Sequence, residues 1–138
     1  MPLTRRRTAA LLVVAIGLIH LFLAPEYLRE HTYIGVLFIL TGVGCAVDAP
    51  WLWFRGGRPA WLLGAAIAAA TFAAFVLSRT VGLPGFKESS WEISGIVSLA
   101  VEGLLLALFV HRERRAIARA LALDTPPQEA RREPIRSR

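Results

Sequence analysis

Residues 5–24 read RRRTAALLVVAIGLIHLFLA. Three arginines precede a run, Thr8 to Ala24, in which His20 is the only ionisable side chain. A helix crossing the hydrocarbon layer needs about 17–25 mostly apolar residues, and in lipid a lone segment satisfies its backbone only as a helix. The pattern returns at about 33–54, 60–78 and 92–111, separated by the polar stretches PEYLREHT, RGGRP and RTVGLPGFKESSW. Four such spans with short connections predict an all-α fold, a four-helix transmembrane bundle. A basic start before an apolar stretch also describes a secretory signal, and Thr4-Arg5-Arg6-Arg7 is loosely similar to a twin-arginine address. Pro25 follows Ala24 directly and no small-x-small cleavage site is present, so the first span is expected to be a retained anchor.

Composition points the same way. The chain has 138 residues, enough for one domain, with 55% hydrophobic and 19% charged residues and a mean hydropathy of +0.52. A small domain leaves a large fraction of its surface exposed, so lipid is expected to cover part of it. The net charge of +6 rests on fifteen Arg and one Lys, Lys87, a bias typical of high-GC bacterial genomes. These arginines lie in short blocks beside the apolar runs, as membrane orientation signals do; nucleic-acid binding is not expected despite the pI near 11.0. Thirteen of the sixteen basic residues fall on one side of a four-span layout. The expected location is the bacterial cytoplasmic (inner) membrane, with both ends cytoplasmic. Trp51, Trp53 and Trp61 are expected at the inner boundary, and Tyr27, Tyr33 and Trp91 at the outer one. The single cysteine, Cys45, excludes intramolecular disulfides and CxxC motifs.

The spans occupy residues 1–111; residues 112–138 form a second, basic region. HRERRAIARALAL reads as a short basic helix that continues the fourth span or lies on the anionic inner leaflet. DTPPQEARREPIRSR reads as a disordered tail.

A shift of 59 residues superposes Pro25 on Pro84, Tyr27 on Phe86, Ile34 on Ile93, Leu40 on Leu99 and Gly44 on Gly103, and places His20 on Arg79. Two tandem helical hairpins would produce these matches, and so would chance among apolar helices. Gly42, Gly44, Gly64-Ala65-Ala66 and Ala68-Ala69-Ala70 permit close helix contact, and the third span is expected to pack centrally or against another subunit.

Ionisable groups within spans are costly and mark functional candidates. His20, Asp48, Arg79 and Glu102 are the four here, and Glu26, His31 and Glu92 join His20 and Arg79 in an expected outer layer. Imidazole with carboxylate ligates Zn or Cu, but this spacing is no known ligand motif. The plainer expectation is an ion-pair network joining Arg79 to Glu26 or Glu92. Haem is not expected, because His20 and His111 lie about 25 Å or more apart in depth by helical rise. Glu102 paired with Asp48, His20 or Arg79 suits proton relay or cation binding; alone, it suits a hydrogen bond across the bundle. Gly82-Leu83-Pro84-Gly85 reads as a turn. No catalytic or nucleotide-binding motif occurs, no metal or cofactor is identified, and the sequence leaves the question of enzymatic activity open, leaning against it.

The stretches SRTVGLPGFKESSWEISGIVSLAVEGLLLAL and HLFLAPEYLREHTYIGVLF resemble a group of small multi-pass membrane proteins of actinobacteria. That resemblance covers most of the chain through Leu108 and implies a membrane protein without supplying a reaction. The expected function is a non-enzymatic scaffold or accessory subunit, partnered by lipid and by another membrane protein or a second copy. The alternative is a small transport, ligand-binding or metal-binding protein that uses the outer His/Arg/Glu cluster.

Overall fold

The computed structural model describes residues 3–124. Four helices follow in order: α1 Leu3–Glu30, α2 Thr32–Phe54, α3 Arg58–Arg79 and α4 Ile93–Asp124. All four are long and apolar enough to cross a membrane. Each helix packs on its neighbours in sequence, and α4 closes the ring against α1. The end carrying Leu3 and the α2–α3 turn is here the terminal end; the end carrying the α3–α4 connection is the loop end. Large apolar side chains are exposed on every helix, including Phe22 at 84%, Leu40 at 59%, Leu62 at 46% and Leu104 at 57%. In water such continuous apolar surface would drive association; in lipid it is matched to the solvent.

The helix ends differ from the expected boundaries. The stretch from Pro25 to Glu30 belongs to α1, and the first connection shrinks to His31, whose N–H donates to the Tyr27 carbonyl. Pro25 therefore lies inside a helix while Pro84 lies in a turn, so the two prolines equated by the 59-residue shift occupy different local structures. The basic segment beyond His111 continues α4 to Asp124. That helix has 32 residues, about 48 Å of rise, so its last turns exceed a hydrocarbon layer about 30 Å thick. The proposed disordered tail lies outside the described residues.

The α2–α3 turn is set by glycine. Gly56 takes φ +65° and donates to the Trp51 carbonyl, the left-handed ending that glycine permits at a helix C-terminus. A β-carbon there would meet the Arg6 side chain at 2.7 Å, so the first turns of α1 brace this connection. Pro59 then opens α3 at a position where its missing N–H costs nothing.

The tightest pair is α1–α2, not a pair built on α3. Close approach rests on Gly17 against Cys45, Gly42 against Leu21 and Gly35 against Leu28. Helix α3 buries Gly64, Ala65 and Ala68 but exposes Ala66, Ala69 and Ala73. The apolar core fills the terminal half, with Val13, Ile16, Leu52, Trp61 and Leu105 almost wholly buried. Trp61 packs into the core, at 3% exposure, while Trp51, at 37%, and Trp91, at 64%, stay outside it.

A methyl group at Gly35 would stand 2.5 Å from the Leu28 backbone nitrogen, and the backbone cannot yield as a side chain can. Gly35→Ala is expected to cost about 1–3 kcal/mol, the range for overpacking. Thermal melting in detergent checks this against Gly103→Ala, whose new methyl meets nothing closer than 4.0 Å.

Candidate functional site: a polar-floored cavity at the loop end

Where the terminal half is filled, the loop-end half is hollow. A cavity of about 370 Å³ lies between all four helices. Each helix turns one stripe toward it at helical spacing: His20, Leu23 and Tyr27 from α1, Phe38 and Thr41 from α2, Thr71, Phe75 and Ser78 from α3, and Ser94, Ser98 and Glu102 from α4. Most of the lining is apolar, and the polar groups gather at the two ends.

The floor is built by His20 and Glu102, at 6% and 1% exposure. His20 Nδ1 lies 2.9 Å from the Ile16 carbonyl oxygen. A carbonyl only accepts, so Nδ1 carries the proton of that bond and Nε2 of the neutral ring is a lone-pair acceptor. Nε2 stands 3.9 Å from Glu102 Oε1, too far for a hydrogen bond. The Ser98 hydroxyl donates to Glu102 Oε1 at 2.9 Å. Thr71 lies near enough to influence the carboxyl, but its hydroxyl donates to the carbonyls of Ile67 and Ala68 at 3.0 and 3.2 Å. Glu102 Oε2 is buried without a hydrogen-bond partner, a state worth roughly 1–3 kcal/mol of desolvation in general. The floor thus holds two acceptors without a donor, His20 Nε2 and Glu102 Oε2, while the Ser98 proton is spent on the other carboxyl oxygen.

The mouth is closed by the connection from Thr80 to Glu92. Leu83 and Phe86 exchange backbone hydrogen bonds across Pro84-Gly85 at 2.7 and 2.9 Å. Gly85 takes φ +67°, as a glycine after a turn proline does; the expected turn is present, centred one residue later. Phe86 meets Tyr27 at 6.0 Å and His31 at 4.8 Å between ring centres, and Tyr33 donates its hydroxyl to the Pro84 carbonyl at 2.7 Å. An aromatic file runs inward from there: Tyr27 to Phe38 at 4.8 Å, then Phe38 to His20 at 4.9 Å.

Arg79 ties this connection to α3. Its Nε donates to the Ser90 carbonyl at 3.1 Å, Nη1 donates to the Ser78 hydroxyl at 3.0 Å, and the guanidinium carbon lies 3.6 Å from the centre of the Phe75 ring. The expected ion pair to Glu26 or Glu92 does not form: among the described residues no carboxylate lies within ion-pair distance of Arg79. Its charge is satisfied by a carbonyl, a hydroxyl and a ring.

Of the seven candidates read from the sequence, His20, Arg79, Glu92 and Glu102 line this cavity. Glu26 and His31 do not; Glu26 is exposed and His31 packs edge-on against Phe86. Asp48 is a separate feature of the terminal half, fully buried, with neither carboxyl oxygen hydrogen-bonded. Among the described residues no three His, Cys, Asp or Glu side chains gather as a metal site would require. Ser94, Ser98, Thr41 and Thr71 were not singled out from the sequence. The signal for two of them was present, since 94, 98 and 102 stand at four-residue intervals and so share one face of α4.

Glu88, outside the spans, accepts from the Ser90 N–H at 2.9 Å and the Ser90 hydroxyl at 2.7 Å. These bonds, with Arg79 nearby, hold its carboxyl below the usual glutamate range. A lowered folded value means that the order Glu88 lends the connection is full above the ordinary glutamate value, near 4.3, and is lost as pH falls through the lowered one. Protection of the amides at residues 88–90, measured against the intrinsic exchange rate at each pH, is expected to fall across that acidic interval, and Glu88→Gln should flatten the dependence.

Comparison with protein-family models, curated proteins and solved structures finds no match to this chain.

Proposed function

We propose that the chain is a multi-pass protein of the bacterial cytoplasmic membrane that binds a small molecule in the loop-end cavity, reached from the outer side. The observation that carries this reading is a cavity of about 370 Å³ with Glu102 at its floor, buried to 1% and with one oxygen unpartnered. Its volume lies in the range of small-molecule sites, about 300–1,000 Å³, and apolar walls with a few convergent polar groups are typical of them. A screen of small metabolites by thermal shift tests the reading. Some compounds should stabilise the protein, and Ser98→Leu, which fills the cavity beside Glu102, should abolish the effect. Indifference of the protein to every compound would contradict it. Flux in proteoliposomes then separates a carrier from a receptor.

The orientation rests on the excess of Arg at the terminal end, nine basic residues against three among the described residues, which the positive-inside rule assigns to the cytoplasm. Lys87 is the only lysine and is exposed in the α3–α4 connection. A membrane-impermeant amine reagent applied to intact cells, with the outer membrane permeabilised where one is present, should modify it. Modification only after the cytoplasmic membrane is broken would reverse the topology.

A second reading, an accessory subunit or homo-oligomer, is favoured by one observation. Ala66, Ala69 and Ala73 form an exposed stripe of small residues on α3, the kind of face on which membrane helices approach closely. Co-purification in mild detergent tests it; a lone monomer would remove it.

A further inference from the structure

We infer that the ligand of this cavity is a lipophilic amine, whose ammonium group is held at the floor by Glu102 and His20 and whose apolar body lies among Phe38, Tyr27 and Leu23. The inference rests on the reading of the cavity as a ligand site and adds the chemistry of the occupant.

Three features of the floor and walls select that chemistry. First, acceptors outnumber free donors at the floor. His20 Nδ1 is committed to Ile16, so Nε2 accepts; Glu102 Oε2 has no hydrogen-bond partner; the Ser98 hydroxyl spends its proton on Glu102 Oε1, and that of Thr71 is directed to the carbonyls of Ile67 and Ala68. At 3.9 Å, Nε2 and Oε1 face each other without a proton between them at bonding distance. An ammonium group carries several N–H donors on one atom, no acceptor, and the counter-charge a carboxylate needs when it is removed from water.

Second, among the described residues that line the cavity the one cationic side chain, Arg79, is held at the mouth. Arg79 gives Nε and Nη1 to Ser90 and Ser78 and stacks on Phe75, and it works at the mouth. Glu92 is the residue just before α4 begins, and Glu102 lies ten positions further on, about 15 Å of helical rise deeper. An anionic ligand anchored at Arg79 would leave the floor unsatisfied, whereas a cation at the floor satisfies both acceptors.

Third, the walls suit an apolar body. Phe38 and Tyr27 line the path to the floor, and aromatic faces attract a cation within about 6 Å. A shallow groove between α1 and α4, formed by Leu18, Leu21, Phe22 and Val97, shares Ile19, Leu23 and Ser94 with the cavity wall. Phe22 there is 84% exposed on the face assigned to lipid. Ile19, Leu23 and Ser94 thus stand between the cavity and a groove on the lipid face.

A charge series of one shape tests the assignment: phenethylamine, 2-phenylethanol and phenylacetate, titrated into the protein in lipid nanodiscs, with empty nanodiscs subtracting partition into lipid. The amine should bind at least tenfold more tightly than the alcohol or the acid. Glu102→Gln should erase that preference and bring the amine to the level of the alcohol, while Glu92→Gln should change it less. Alcohol or acid binding as tightly as the amine overturns the amine and leaves the ligand-site reading standing. Binding by none of the three, with no stabilising compound in the metabolite screen, overturns both. The series on the unaltered protein decides by itself if a variant fails to fold.

Discussion

Replacing Asp48 with Ala is expected to raise the stability of the purified protein by about 1–2 kcal/mol, seen as a melting point several degrees higher. Asp48 has no measurable exposure, and neither of its oxygens finds a donor. Its surroundings are apolar: a methyl built on Gly64 would lie 2.6 Å from Oδ2, with Val13 and Leu52 also close. An unsatisfied buried acceptor costs about 1–3 kcal/mol. Truncation to Ala leaves a void of roughly 20 Å³, which at about 24 cal/mol per Å³ costs about 0.5 kcal/mol. The desolvation saved exceeds the void created, so the sign is stabilising. Melting curves of the two proteins in one detergent check it. A loss of stability would show that Asp48 holds a partner in the membrane.

The second large effect concerns the mouth. Arg79→Ala removes a charged group's hydrogen bonds to Ser90 and Ser78 and its stacking on Phe75. Hydrogen bonds to charged groups contribute about 1.5–3 kcal/mol each. Of these contacts only the bond to Ser90 joins α3 to the connection, and Arg79 is half-buried, so solvent discounts it to about 1.5 kcal/mol. That corresponds to about a tenfold rise in the open population of the α3–α4 connection. Trypsin cleavage at Lys87, which tracks that population when reclosing is fast, should accelerate by a similar factor while the helices stay intact. Arg79→Lys, which keeps the charge but loses the planar fork, should fall between. Cleavage unchanged in Arg79→Ala would mean that Tyr33 and Phe86 alone hold the loop.

What was legible in the sequence follows from one-dimensional physics. Run length and charge blocks reveal helices, so the four helices are found near their expected places. Pro25 misleads because proline usually ends a helix, yet here it is exposed within α1. The tight α1–α2 contact was hidden because Gly17, Gly35 and Gly42 are spread over two helices and matter only through their partners across the interface. Depth along a helix can be counted, so His20 and Glu102 could each be placed below a surface. Their meeting also depends on α1 and α4 being neighbours with those faces turned inward, which no local pattern encodes. The same ignorance of facing assigned Arg79 to a carboxylate, whereas Ser90 and Phe75 satisfy it.

The central claim is a cavity that reaches Glu102 from the loop end. Cys45 is the only native cysteine, so a Cys45→Ser background allows single thiols to be placed at will. In sealed vesicles with the loop end outward, Ser98→Cys inside the cavity should react with a small, water-soluble thiol reagent added outside. Val97→Cys, one residue away and 47% exposed on the face assigned to lipid, should react far more slowly. Equal rates at the two positions, or a faster reaction at Val97→Cys, would contradict the account.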